Sequence, residues 1–309
     1  MTTTHHLGDA TTDAPEQPSQ RIGLLAAWGR YPIVVAEELK RQGHQVYCLG
    51  ITGLADPSLA DICDDFQPIG CAKLGAQIRY FRRHGVRRAT MAGKIHKVAM
   101  FQPFAVLRHL PDWRCLRVYY PHFILGTKDR KDDTLLGTLV GEYAKDGIEF
   151  APATDFAPQL LIKKGQLVGR RLSSSQWSDI CLGWEMAKKL GELDIGQSVA
   201  VKGRAVLAVE AVEGTDACIR RAGELCTAGG FTVVKVAKPR QDMRFDVPAI
   251  GLGTIETIAA AGGSLLAVEA DRTIVIDQAR VVELAATRKV SIVAVHDPAV
   301  DRNTRLAAA

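Results

Sequence analysis

Residues 21–51 read RIGLLAAWGRYPIVVAEELKRQGHQVYCLGI, and this stretch decides the fold class. Ile22–Ala27 is an apolar run of strand length, Trp28–Pro32 reads as a turn, and Ile33–Arg41 repeats its apolar positions at helical spacing until Gly43 stops it. A second strand, Gln45–Ile51, follows at once. Downstream, a helix at Cys71–His84 leads into a strand at Arg88–Ala92. Strands and helices that alternate over short connections imply an α/β domain with a parallel, Rossmann-like sheet. The first turn, between Gly23 and Gly29, lacks the GxGxxG pattern, which argues against a dinucleotide cofactor. Gly29 still stands at a strand end before a helix, where backbone amides can approach a phosphate, or where a glycine simply makes a turn.

Ala151–Pro158 contains two prolines and little periodicity, a natural boundary. The expected organisation is a tail at 1–20, the Rossmann-like domain at 21–152, a distinct C-terminal α/β domain at 153–300 and a tail at 301–309. In the second half Ser174–Leu190 is a helical segment, with Ser175 and Asp179 as its start chemistry and Gly191 beyond its end. Ser198–Val201 and Ala205–Val212 flank Lys202-Gly203-Arg204 as a hairpin, and Asp216–Cys226 reads as a helix. Phe231–Val236 and Ser264–Glu269 are expected strands; Thr254–Ala261 and Gln278–Thr287 are expected helices.

The 309 residues are 47% hydrophobic and 24% charged, the balance of a soluble globular protein. No run approaches the roughly 18 apolar residues of a membrane-spanning helix. Seven scattered cysteines without a CxxC pair read as reduced, mostly buried thiols. Met1–Gln20 has no Lys or Arg and no apolar core, so it reads as a flexible tail rather than an export signal, and the cytoplasm is the expected compartment.

The net charge of +5 is unevenly spread: residues 21–150 carry +6, and no acidic residue falls between Asp65 and Asp112. Arg79, Arg82 and Arg83 form either the wet face of one helix or, with the apolar Met100–Leu110 segment, a surface for anionic lipid. No recognised nucleic-acid motif accompanies them.

Two stretches of the second half mix charges as phosphate chemistry requires. In AVEAVEGTD (Ala208–Asp216), Glu210 and Val212 share one strand face, Glu213 sits in the turn, and Thr215 or Asp216 is placed to cap the next helix. In KVAKPRQDMRFDVP (Lys235–Pro248), four cations interleave with Asp242 and Asp246 after a buried-looking strand. Carboxylates hold a hard cation such as Mg²⁺, while Lys and Arg clamp phosphate oxygens; a solvated mixed-charge loop is the alternative.

Together with DICLGWEMAKKLGELDIGQSVAV (Asp179–Val201), VKVAKPRQDMRFDVPAIG (Val234–Gly251) and LLAVEADRTIVID (Leu265–Asp277), these stretches closely resemble the LpxI family of lipid A biosynthesis. Ile22–Pro32 and the region of Asp132-Asp133 resemble it as well. The resemblance implies a Mg²⁺-dependent (or other divalent-cation) hydrolase. Its substrate would be the nucleotide-activated acylated sugar UDP-2,3-diacylglucosamine, split to UMP and 2,3-diacylglucosamine 1-phosphate. It further implies Asp242, Asp246, Asp216 and Glu213 as catalytic residues, the three aspartates as metal ligands, and Lys235, Lys238, Gln241, Arg244, Thr215 and Gly29 as substrate contacts. A homodimer, with peripheral contact to an anionic membrane, is the expected state. A non-catalytic binder of nucleotide-sugar or anionic lipid is the alternative. Three positions depart from the family pattern: Ala26-Ala27-Trp28-Gly29 replaces a glycine-rich AGxG turn, Gly126–Asp133 replaces a GDD, and Arg240 replaces the glycine of KPGQD.

Overall fold

The computed structural model describes residues 19–94, 110–123, 132–244 and 246–301. The chain opens with β1 (Arg21–Ala26), α1 (Tyr31–Arg41), β2 (Gln45–Ile51), α2 (Leu59–Ile62), β3 (Asp65–Ile69), α3 (Leu74–Arg83) and β4 (Arg88–Ala92). After α4 (Trp113–Phe123) and α5 (Asp132–Ala144) come β5 (Glu149–Phe150), α6 (Ala153–Phe156) and a single 3-10 turn (Pro158–Leu160). The five strands are all parallel, in the order β3-β2-β1-β4-β5, as a Rossmann-like sheet requires.

Alternation along β1 sorts its side chains to two cores. Ile22, Leu24 and Ala26 pack with Ile33, Val35 and Leu39 of α1 on one face, while Leu25 joins Phe81, Tyr143 and Phe150 on the other. Gly23 is small for a reason: a Cβ there would stand 2.9 Å from the Phe81 ring. Removing the fully buried Phe81 side chain would cost about 3–5 kcal/mol. Strand β3 is absent from the sequence reading because it is an edge strand, DFQPI, with a proline and only one buried residue. Pro32 sits in the first turn of α1, where its missing N–H costs nothing.

Ala153 and Phe156 pack into the N-terminal core, and Arg88 stacks on the Phe156 ring at 4.6 Å. The chain therefore changes allegiance after this segment, where Ile162 enters the second core, rather than at the expected division between residues 152 and 153. Ser19 and Gln20, expected in the tail, are tied to Gly43, His44 and Gln45.

The second half contains β6 (Gly165–Val168), α7 (Ser174–Glu192), β7 (Ser198–Lys202), β8 (Ala205–Val209), α8 (Thr215–Leu225) and β9 (Thr232–Lys235). It continues through β10 (Ala249–Ile250), α9 (Leu252–Ala260), β11 (Leu265–Glu269), β12 (Ile274–Val275), α10 (Gln278–Thr287) and β13 (Ser291–Val295). Its six-stranded sheet runs β6-β13-β11-β9-β7-β8, parallel across β13-β11-β9 and antiparallel outside.

The hairpin forms as expected, with Gly203 and Arg204 both at positive φ. Its amides donate to Asp179, at 3.1 and 2.6 Å. Asp179 is thus a hairpin anchor rather than helix-start chemistry; α7 is capped by Ser173, which accepts from Gln176 N while Gln176 accepts from Ser173 N. Strand β8 also ends earlier than expected. Glu210 turns inward and Val212 is fully exposed, so the two do not share a face.

Candidate functional site

In the N-terminal sheet the strand order reverses at β1, with β2 on one side and β4 on the other, so a crevice opens beyond the carboxyl ends of β1 and β4. Ala27 N donates to Ala92 O at 2.9 Å, and Trp28 and Lys94 exchange two backbone hydrogen bonds. Gly93 makes this junction possible: a Cβ there would lie 2.7 Å from the Ala27 carbonyl carbon and 2.9 Å from Trp28 O. Gly29, at φ +109°, forms an open tip with no atom within 4 Å of a hypothetical Cβ. Ala27 takes the place of the first glycine of the AGxG turn, and Trp28, at its variable position, stands at the rim and is 52% exposed.

The C-terminal domain faces this crevice. Arg30 reaches Asp277 at 3.4 Å, and the charge of Lys94 acts on Lys235 at the end of β9. Lys235 is only 7% exposed. Its Nζ donates to Thr215 Oγ1 at 3.0 Å, and that hydroxyl donates onward to Glu210 Oε1 at 2.8 Å. Burial pushes the Lys235 ammonium below the ordinary lysine range, and Lys94 adds to this, while Glu210, Asp216 and Asp246 oppose it. Thr215 is free for this bond because it does not cap its helix. Gly214, at φ +83°, takes the N-cap position of α8 without a side-chain bond. Asp216 stands in the first turn, where the helix dipole favours a carboxylate.

A buried lysine held by Thr215, with the charges of Asp216, Asp246 and Lys94 acting on it, is an arrangement suited to a pyrophosphate. Family models for the LpxI N-terminal domain and the LpxI C-terminal domain match residues 21–160 and 163–293. The chain is also 32% identical, over 276 residues, to the UDP-2,3-diacylglucosamine pyrophosphatase LpxI of Caulobacter vibrioides, covering 86% of this chain and 94% of that protein. The chain belongs to the LpxI family.

The LpxI-type motif residues divide into those that bond Lys235 or act on it by their charge and those engaged elsewhere. Thr215, Asp216 and Asp246 belong to the first group. Asp242 belongs to the second: Arg244 Nε lies 2.9 Å from its Oδ1, and the guanidinium holds its carboxyl below the usual range. Asp242 O in turn accepts from Asp246 N at 3.1 Å, so the pair shapes the turn that carries Asp246. Lys238 Nζ is drawn to Asp194 at 2.5 Å, and Glu213 pairs with Arg221 at 3.0 Å. Gln241 accepts from Lys238 N at 2.8 Å, while its buried amide nitrogen has no hydrogen-bond partner among the described residues. Arg240 is exposed.

Three residues that hold the site escape the motif reading. Glu210 reads from the sequence as a strand-face residue, and Lys94 is one of the cations in the acid-free stretch between Asp65 and Asp112. Glu269, at the end of β11, accepts from Ala237 N and Lys188 Nζ, both at 2.7 Å, and so fixes the start of the 237–248 loop. A buried acid at a strand end is the only local signal for it. Asp132 and Asp133 open α5; Gly126–Lys131 and most of Met100–Leu110 lie outside the described residues.

Among the described residues no three His, Cys, Asp or Glu side chains gather into a metal-binding group. Mg²⁺ takes only one or two carboxylates from a protein when substrate phosphates and water complete its shell, and Asp216 and Asp246 are two carboxylates whose charges both act on Lys235. Asp242, the third aspartate expected as a ligand, is engaged with Arg244.

Proposed function

We propose that this protein hydrolyses the pyrophosphate bond of UDP-2,3-diacylglucosamine, giving UMP and 2,3-diacylglucosamine 1-phosphate. The observation that carries this reading is the buried Lys235, held by Thr215 at 3.0 Å, with the charges of Asp216, Asp246 and Lys94 acting on it. Lys235 and Lys94 bind the pyrophosphate oxygens and stabilise the charge that grows as the bridging P–O bond breaks. Asp246 and Asp216 orient the attacking water and accept its proton, while the Gly29 tip leaves room for phosphate or nucleotide backbone contacts. A divalent cation, which we assign to Asp216 and Asp246, supplies further neutralisation of the two phosphates when bound. Lys238, Gln241, Asp242, Arg244 and Glu213 shape the loops on which these groups stand.

We propose further that the enzyme works in the cytoplasm as a homodimer that touches the anionic inner membrane surface. Seven free cysteines suit a reducing compartment. No helix among the described residues is long and apolar enough to cross a membrane. Trp113, 80% exposed, and Leu110 and Leu116 project beside the exposed Arg79, Arg82 and Arg117, an interfacial pattern of aromatic, aliphatic and cationic side chains.

The test is release of UMP from UDP-2,3-diacylglucosamine by the full-length protein, with Mg²⁺ and with EDTA. Equal amounts of UMP and sugar phosphate are expected. Saturable binding without turnover would favour the non-catalytic binder. Sedimentation with phosphatidylglycerol vesicles, weakened by salt and by Trp113→Ala, tests the membrane contact.

A further inference from the structure

We infer that Glu210 is a positioning residue for the reaction, fixing the Lys235 ammonium at the cleft through the Thr215 hydroxyl. The inference rests on the reaction proposed for this site and deepens it.

Glu210 is 8% exposed and makes no ion pair of its own among the described contacts. A buried carboxylate is costly unless its oxygens are satisfied. Here Oε2 accepts from Gln197 N at 3.3 Å and Oε1 accepts the Thr215 hydroxyl proton at 2.8 Å. With that proton committed to Glu210, the lone pairs of Thr215 Oγ1 are left to receive Lys235 Nζ at 3.0 Å. The direction of donation is thereby set, from ammonium to hydroxyl to carboxylate. Ser198 Oγ, 3.4 Å from Thr215 Oγ1, abuts the same hydroxyl.

The backbone around Glu210 is fixed just as closely. Its N–H continues the sheet by donating to Ser198 O at 2.9 Å, and Gly196 presses against it so tightly that a Cβ would meet Glu210 O at 2.1 Å. The charged groups that act on Lys235 come from four places: Glu210 after β8, Asp216 on α8, Asp246 on the loop after β9, and Lys94 from the N-terminal domain. Asp216 and Asp246 are the carboxylates proposed to meet the substrate, so their charge is shared with whatever binds. Glu210 is joined to the lysine through the Thr215 hydroxyl and stays with it throughout the reaction.

Glu210→Gln keeps the size of the side chain and an acceptor for Thr215 but removes the charge. It is expected to lower kcat about tenfold to a hundredfold, with KM little changed, and to move the alkaline limb of the pH profile to lower pH. Thr215→Val should reproduce the effect, and Thr215→Ser should restore most of the activity. Competitive acetylation of Lys235 against pH, read by peptide mass spectrometry on the full-length proteins, gives the same answer without turnover. The labelling midpoint should fall in Glu210→Gln. If the wild type releases no UMP yet the midpoint falls, the positioning role stands and the reaction assignment fails. An unchanged alkaline limb and labelling midpoint in Glu210→Gln and Thr215→Val, even with lowered thermal stability, would overturn the inference.

Discussion

In the N-terminal domain the strand ends that face the cleft are built from backbone. Gly93 and Gly29 bring the chain close and leave space, and Trp28 and Lys94 are the main side chains at the rim. In the C-terminal domain the matching strand ends carry ionisable groups: Lys235 on β9, Glu269 on β11, and Glu210 just beyond β8. Both domains use the carboxyl ends of parallel strands, but one supplies an opening and the other a held set of charges. Substitutions should therefore act differently on the two sides, through shape and stability in the first and through turnover in the second.

The largest expected effect lies on the charged side. Asp246→Asn should lower kcat about a hundredfold or more, as loss of an ionised group at the reacting centre does, with the unfolding midpoint in urea unchanged. An effect on KM alone would place Asp246 in binding only. On the backbone side, Gly93→Ala should cost about 2–4 kcal/mol in urea unfolding, because its Cβ would collide with the Ala27 carbonyl carbon at 2.7 Å. Gly29→Ala, strained in φ but otherwise in open space, should cost only about 1 kcal/mol. Equal costs at the two glycines would break the distinction drawn between junction and tip.

A smaller effect is expected from the Asp242–Arg244 pair. Arg244 holds Asp242 below its ordinary 3.8, so the pair contributes stability above that pH and loses it as the pH falls through the lowered folded value. The pair is partly exposed, which limits the contribution to about 1 kcal/mol or less. Wild type should therefore lose slightly more stability below pH 3.8 than Asp242→Asn, measured by urea midpoints across that range. Smallest of all, Arg30→Ala should remove about 0.5 kcal/mol or less, since the contact to Asp277 is long and exposed.

The same contrast explains what the sequence could tell. The β1-α1-β2 unit was legible because its apolar residues follow the periods of strand and helix, and the Gly203-Arg204 hairpin because positive φ at both turn positions suits a two-residue loop. Strand β3 was hidden by its polar, proline-bearing edge, and β13, SIVAV, by being a short apolar run with no alternation to declare it. In the site, the motif names Thr215, which bonds Lys235 in the fold, and Asp216 and Asp246, whose charges act on that lysine. It could not show that Gly214 takes over the cap and frees Thr215, nor that Asp194 and Arg244 claim Lys238 and Asp242. Those outcomes depend on partners that only folding brings within reach, such as Lys188 and Glu269, 81 residues apart.

The central claim is that Lys235, buried at the end of β9 and held by Thr215, drives pyrophosphate cleavage. Its most direct test is UMP release from UDP-2,3-diacylglucosamine by wild type and by Lys235→Met, a substitution of similar length that leaves no charge to bury. The account predicts steady release by wild type and a loss of about a thousandfold in the variant, with the fold intact by circular dichroism. Wild-type rates in a folded Lys235→Met would contradict it.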